Sequence, residues 1–205
     1  MKIRFHRTHA VPVKTAQDIR GIIKRTEAKL PDLGVSEADI VLLAKWNPFG
    51  VNGNTYHEET IVLEVDKSRP WRSIRKQVAP FFVHELHHLG RVKAGQGAWS
   101  LQEMAVLEGL AIIFVTEMGY PKPEYASKLT GQSRAKTLRS FKKERGRKRY
   151  DYPRWFFGAA DLPQSAGYRL GAELVADYCE RTGAKPSELV ATPAGVILKN
   201  HPVLK

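Results

Sequence analysis

The sequence predicts an α+β fold: a small twisted sheet of three or four strands, mostly antiparallel, packed on helices, with further helices toward the C-terminus. Three observations carry this reading. Runs of strand character all lie early, at 2–6, 40–44 and 60–65. From residue 71 the apolar period becomes helical. The chain has 205 residues, 42% of them hydrophobic and 26% charged, which suits one domain (1–205) with a real core and argues against disorder.

The elements follow in order. Lys2 to His6 alternate as a short strand. Thr15 is positioned to cap a helix over about 16–30, with Ile19, Ile22, Ile23 and Leu30 at helical spacing, and Pro31-Asp32-Leu33-Gly34 ends it. Ile40 to Ala44 is an apolar run read as a buried strand. Asn47-Pro48-Phe49-Gly50 and Asn52-Gly53-Asn54 are turn chemistry, and Thr60 to Val65 is a β-branched strand. A helix opens near residue 71 and stops at Gly90, with Pro80 expected to kink or restart it. Ser100-Leu101-Gln102-Glu103 has the form of a capping box and opens a helix to about Met118. A further helix spans about 163–181 before Gly183, and Thr192-Pro193 opens a last short one.

Several classes of protein are excluded. The longest apolar run, Leu110 to Val115, is far short of the ~20 residues a membrane span needs. The first residues are basic but lack the apolar stretch of a secretory signal. A single cysteine, Cys179, excludes a disulfide framework and a multi-cysteine zinc module. A soluble, cytoplasmic protein is the expectation. The net charge of +12 is concentrated: 122–154 holds 12 basic residues against Glu124, Glu144 and Asp151. This stretch reads as a mobile basic insertion with some helix.

The chemistry centres on His84-Glu85-Leu86-His87-His88. Residues four apart on a helix share a face, so His84 and His88 can reach one ion. Glu85 points about 100° away around the helix and can reach a water on that ion. Composition alone gives His-Glu-x-x-His in roughly 2% of such chains. A catalytic zinc takes a third protein ligand and keeps one position open. No histidine follows before His201, so the candidates are Glu103, Glu108 and Glu117. Glu103 already belongs to the capping box, and Glu117 lies near the helix end. Glu108 sits in the apolar stripe of Met104, Leu107, Ala111, Phe114, Val115 and Met118, where a carboxylate needs a cation, either a metal or an arginine. Gly109 beside it allows a neighbouring helix close.

His-Glu-x-x-His with Glu108 twenty positions after His88 resembles the gluzincin metallopeptidases. More narrowly, Gly50-Val51-Asn52-Gly53, the histidine string, Leu107-Glu108-Gly109-Leu110-Ala111 and Ala166-Gly167-Tyr168-Arg169-Leu170-Gly171 resemble the bacterial predicted Zn-dependent proteases filed as a domain of unknown function. The resemblance covers about 35–200. It implies a zincin-like domain holding one Zn2+ per chain on His84, His88 and Glu108. It also implies Glu85 as the general base, and an extended peptide or protein substrate paired with an edge strand, expected to be 60–65. Tyr168 is the candidate oxyanion donor, the alternative being a helix-packing tyrosine; Arg169 and His87 are weaker candidates. Position 112 is Ile, so the Asp that thermolysin-like enzymes carry four residues after the third ligand is missing.

Lys142, Lys143, Arg145, Arg147, Lys148 and Arg149 form a dense cationic run near Phe141, Tyr150, Tyr152 and Trp155. Such a run suits a nucleic acid or an acidic partner, or is simply a solvated arm. Three functions follow: a zinc peptidase, a peptidase directed to nucleic-acid-bound proteins by the insertion, and a non-catalytic metal- or nucleic-acid-binding protein.

Overall fold

The computed structural model describes residues 1–57, 59–158 and 161–204. The chain divides into two compact units, Met1–Ala94 and Gly95–Lys205.

The first unit holds β1 (Lys2–Arg7), α1 (Val13–Glu27), β2 (Glu37–Ala44), β3 (Val51–Tyr56), β4 (Thr60–Val65) and α2 (Trp71–Lys93). The four strands form one mixed sheet in the order β1-β2-β4-β3. β1 pairs parallel with β2, β2 pairs parallel with β4, and only β3 and β4 are antiparallel. This corrects the expectation of a mostly antiparallel sheet. The connection through α1 is long enough for a parallel crossover, and β3 folds onto the far side of β4, so β4 returns in the direction of β2. Strand alternation sends Ala38, Ile40, Leu42, Ile61, Leu63 and Val51 into the core, where Ile19, Ile23, Val78 and Phe82 of the helices are also buried.

Asn52-Gly53-Asn54 lies inside β3 rather than in a turn, and Asn52 pairs with Glu64 in register. α1 starts after Pro12 without a side-chain cap, so Thr15 is not its cap. α2 runs through Pro80 and past Gly90 to Lys93, and the left-handed residue that follows it is Gly95 (φ 72°). Residue 80 forfeits one hydrogen bond without ending the helix.

The second unit holds α3 (Leu101–Glu117), α4 (Gly131–Glu144), α5 (Ala166–Thr182) and α6 (Ala194–Leu198), with a π-helical turn at Pro153–Gly158. The Ser100 capping box is present, with Glu103 Oε2 accepting from Ser100 N at 2.7 Å. α3 is buried on nearly all sides rather than along one stripe. The basic segment is a packed part of this unit rather than a mobile arm. Leu129, Phe141, Trp155 and Phe156 sit in its core. Arg154 ties Glu144 to Asp161 at 3.0 and 2.7 Å. Among the described residues, no helix is long and apolar enough to cross a membrane.

Candidate metal centre

In the first unit, α2 brings the histidine string to one place. The His84 and His88 rings stand edge to face, centroids 4.5 Å apart. One ligand atom from each of His84, Glu85 and His88 lies within 4.8 Å of the others. The three side chains are 7%, 5% and 8% exposed, so they are shielded yet reachable. Two imidazoles and a carboxylate at this spacing are a donor set that suits zinc. His87, between them, is fully buried.

Glu85 is held from the sheet. The Thr55 hydroxyl lies 2.8 Å from Glu85 Oε2 and 3.0 Å from the Glu85 carbonyl oxygen, and its single proton serves both. Gly53 lies beneath the same side chain: a Cβ there would strike Glu85 Cγ and fall 2.8 Å from Oε1 and 2.9 Å from Cδ. The carboxylate therefore rests on bare strand backbone. Thr55 was not anticipated from the sequence, and Gly53 only as turn chemistry and as the end of the Gly50-Val51-Asn52-Gly53 string. The available signal was a lone glycine in a stretch alternating toward Thr55, which marks a close approach to a strand.

β3 is stiffened from its other face. Asn52 donates to Glu64 Oε2 at 3.2 Å, and Lys45 donates to Glu64 Oε1 at 2.6 Å. Among the described residues β3 is an edge strand, paired with β4 alone, whereas β4 lies between β2 and β3. The expectation that 60–65 would offer the free edge is therefore corrected: both edges of β4 are already used.

In the second unit, α3 and α5 carry Glu108 and Tyr168. Their backbones meet at two glycines: a Cβ on Gly109 would strike the carbonyl of Gly171, and one on Gly171 would strike the carbonyl oxygen of Ala105. Gly167 similarly faces the Phe156 ring. These contacts explain physically why both glycine-bearing strings take the form they do. Glu108 is buried on α3. The Tyr168 ring packs edge to face on Tyr125 and Phe156, centroids 5.1 and 5.0 Å away. Burial, reinforced by the Glu108 charge, pushes the Tyr168 phenol far above its ordinary pKa. Burial likewise pushes Tyr150 up to about 12. A side-chain hydrogen bond with Tyr152 adds to the effect on Tyr168, so its phenol keeps its proton.

The competing candidates are committed elsewhere. Glu103 serves the cap, and Glu117 accepts from the Ser187 amide at 3.0 Å and the Ser187 hydroxyl at 2.6 Å. Arg169 donates to the carbonyls of Ser127 and Lys128 at 2.7 and 3.1 Å.

A buried His-Glu-His cluster on one helix, braced by a strand of a small mixed sheet, marks an α+β protein with a cluster compatible with a metal site. Residues 14–199 match the family described as predicted Zn-dependent protease (DUF2268), and the chain belongs to that family. No curated protein and no solved structure matches the chain.

Proposed function

We propose that the chain is a zinc-dependent peptidase with a zincin-like domain. The observation that carries this reading is the buried His84, Glu85 and His88 cluster, with Glu85 fixed by Thr55 and seated on Gly53. His84 and His88 would hold one zinc, and the resemblance to the gluzincin pattern would make Glu108 the third ligand. A bound zinc would supply Lewis acidity, acidifying a water and polarising a substrate carbonyl.

Glu85 does the proton work. With Oε2 engaged by Thr55, Oε1 is the atom that takes the proton of the attacking water. As the water oxygen bonds to the carbonyl carbon and the C–N bond breaks, Glu85 returns that proton to the leaving nitrogen. The resemblance makes Tyr168 the candidate that would donate a hydrogen bond to the oxygen where negative charge develops. An extended substrate pairs with the free edge of β3, beside Glu85.

The test is zinc content by elemental analysis of wild type, Glu108→Ala and Glu85→Gln, with a peptide-library digest of each. About one zinc per chain is expected in wild type and Glu85→Gln, with a sharp loss in Glu108→Ala. Cleavage is expected from wild type alone. Full zinc in Glu108→Ala would return Glu108 to the paired core carboxylates. A wild type that holds no zinc after reconstitution would overturn the reading.

A further inference from the structure

We propose that the outward face of α4 and the turn after it, together with the exposed Trp99 just upstream of the segment that holds that turn, bind a single-stranded nucleic acid. This is independent of the peptidase reading, since it uses other residues and is tested without turnover.

α4 is divided cleanly by charge. Thr137 and Phe141 are buried and Leu138 is half-buried. Lys136, Arg139 and Lys143 are exposed on the opposite face at spacings of three and four. The turn beyond adds exposed Arg147, Lys148 and Arg149. Between 136 and 149 there are eight basic residues and one acid, Glu144. That acid is turned inward, accepting from the Arg154 guanidinium at 3.0 Å and from Trp155 Nε1 at 3.2 Å. It therefore does not neutralise the outer face.

The cations sit on a fixed frame. Phe141 packs against Trp155, with centroids 6.0 Å apart. The carbonyls of Arg145 and Arg147 accept from the amides of Gln102 and Leu101, at 2.9 and 3.2 Å. These bonds fasten the cationic turn to the start of α3, two residues along the chain from Trp99, whose indole edge lies against Gly97. The Trp99 amide is itself held by Glu103 Oε2 at 2.9 Å, yet its side chain is 75% exposed.

A pinned cation array with a projecting indole answers to phosphates plus accessible base faces. A duplex offers the phosphates but keeps its bases stacked inside. An anionic membrane would call for several large apolar side chains among the cations, and the exposed residues of α4 include none. An acidic peptide gives the indole no planar partner.

The experiment is fluorescence anisotropy of labelled oligodeoxythymidylate and oligouridylate titrated with the full chain across a salt series. Wild type is expected to bind at least one of them at low salt, with log affinity falling linearly in log salt. The triple variant Arg147→Gln/Lys148→Gln/Arg149→Gln should bind at least ~10-fold more weakly, with a slope shallower by about 2. Trp99→Ala should lose about tenfold in affinity while keeping the wild-type slope. Circular dichroism of both variants should match wild type, since every changed side chain is exposed. No binding at low salt, an unaffected triple variant or an unaffected Trp99→Ala would overturn the proposal. So would equal or tighter binding to duplex, polyglutamate or anionic vesicles.

Discussion

Gly53 in the first unit and Gly171 in the second both lie where no side chain fits, but for different reasons. Over Gly53 lies the Glu85 side chain, its Cγ nearest and its carboxylate next. Over Gly171 lies the main chain of α3 at Ala105. The first glycine sets the position of one functional group, and the second sets the distance between two helices. A site residue can thus be positioned by local yielding parts or by rigid backbone contact, and the two should fail in opposite ways.

The largest expected effect belongs to neither glycine. Glu85→Gln keeps the shape and the Thr55 contact but removes the proton acceptor. Peptide hydrolysis should fall by about 10^3-fold or more, with the urea midpoint and zinc content unchanged. A variant that still cleaves at wild-type rate would remove Glu85 from the chemistry altogether.

The glycines then separate stability from activity. Gly171→Ala forces α3 and α5 apart, because backbone cannot step aside. We expect a loss of about 3 kcal/mol in urea denaturation, a large share of an ordinary domain's stability. Gly53→Ala asks only that Glu85 swing away. Its stability should fall by only about 1 kcal/mol, since the buried Glu85 must shift but alanine also lowers the entropy of the unfolded chain. Its kcat/KM should fall about 10^2-fold, because Oε1 leaves its working position. Equal stability losses in the two variants would erase the distinction drawn between the units.

The same contrast explains what could be read from the sequence. The cluster on α2 was legible because a spacing of four residues on a helix is local geometry. The capping box of α3 and the glycine beside Glu108 were legible for the same reason. The sheet was not, because strand order is decided by pairing between distant segments. Asn52-Gly53-Asn54 has turn composition, yet it is strand because Glu85, thirty-two residues beyond Gly53, packs on it. The continuous apolar run Ile61-Val62-Leu63 did hint at a central strand, since an edge strand seldom buries both faces. The basic segment misled by composition: its few apolar residues, Leu129 and Phe141 among them, are enough to pack it into the second unit.

The smallest effect sharpens the comparison through pH. The outer face of the first unit's sheet carries Arg4, which donates to Asp39 at 2.8 and 2.7 Å and to Glu37 at 2.6 Å. His6 Nε2 lies 2.7 Å from Asp39 Oδ1. The hydrogen bonds from Arg4, then from His6, hold the Asp39 carboxyl far below its ordinary pKa. A carboxyl depressed in the folded state stabilises the fold while it is ionised there. That contribution is complete above the unfolded value, about pH 4, and is lost as the pH falls below it. Asp39→Asn should therefore cost up to about 1 kcal/mol at pH 7, modest because the pair is partly exposed and screened. The gap between wild type and variant should narrow steadily below about pH 4 and shrink with added salt. The penalty of Gly171→Ala, a clash of uncharged backbone, should stay constant over the same range. If both gaps closed together on acidification, the acid response would belong to the whole chain, and the ion pair would no longer mark the first unit off from the second.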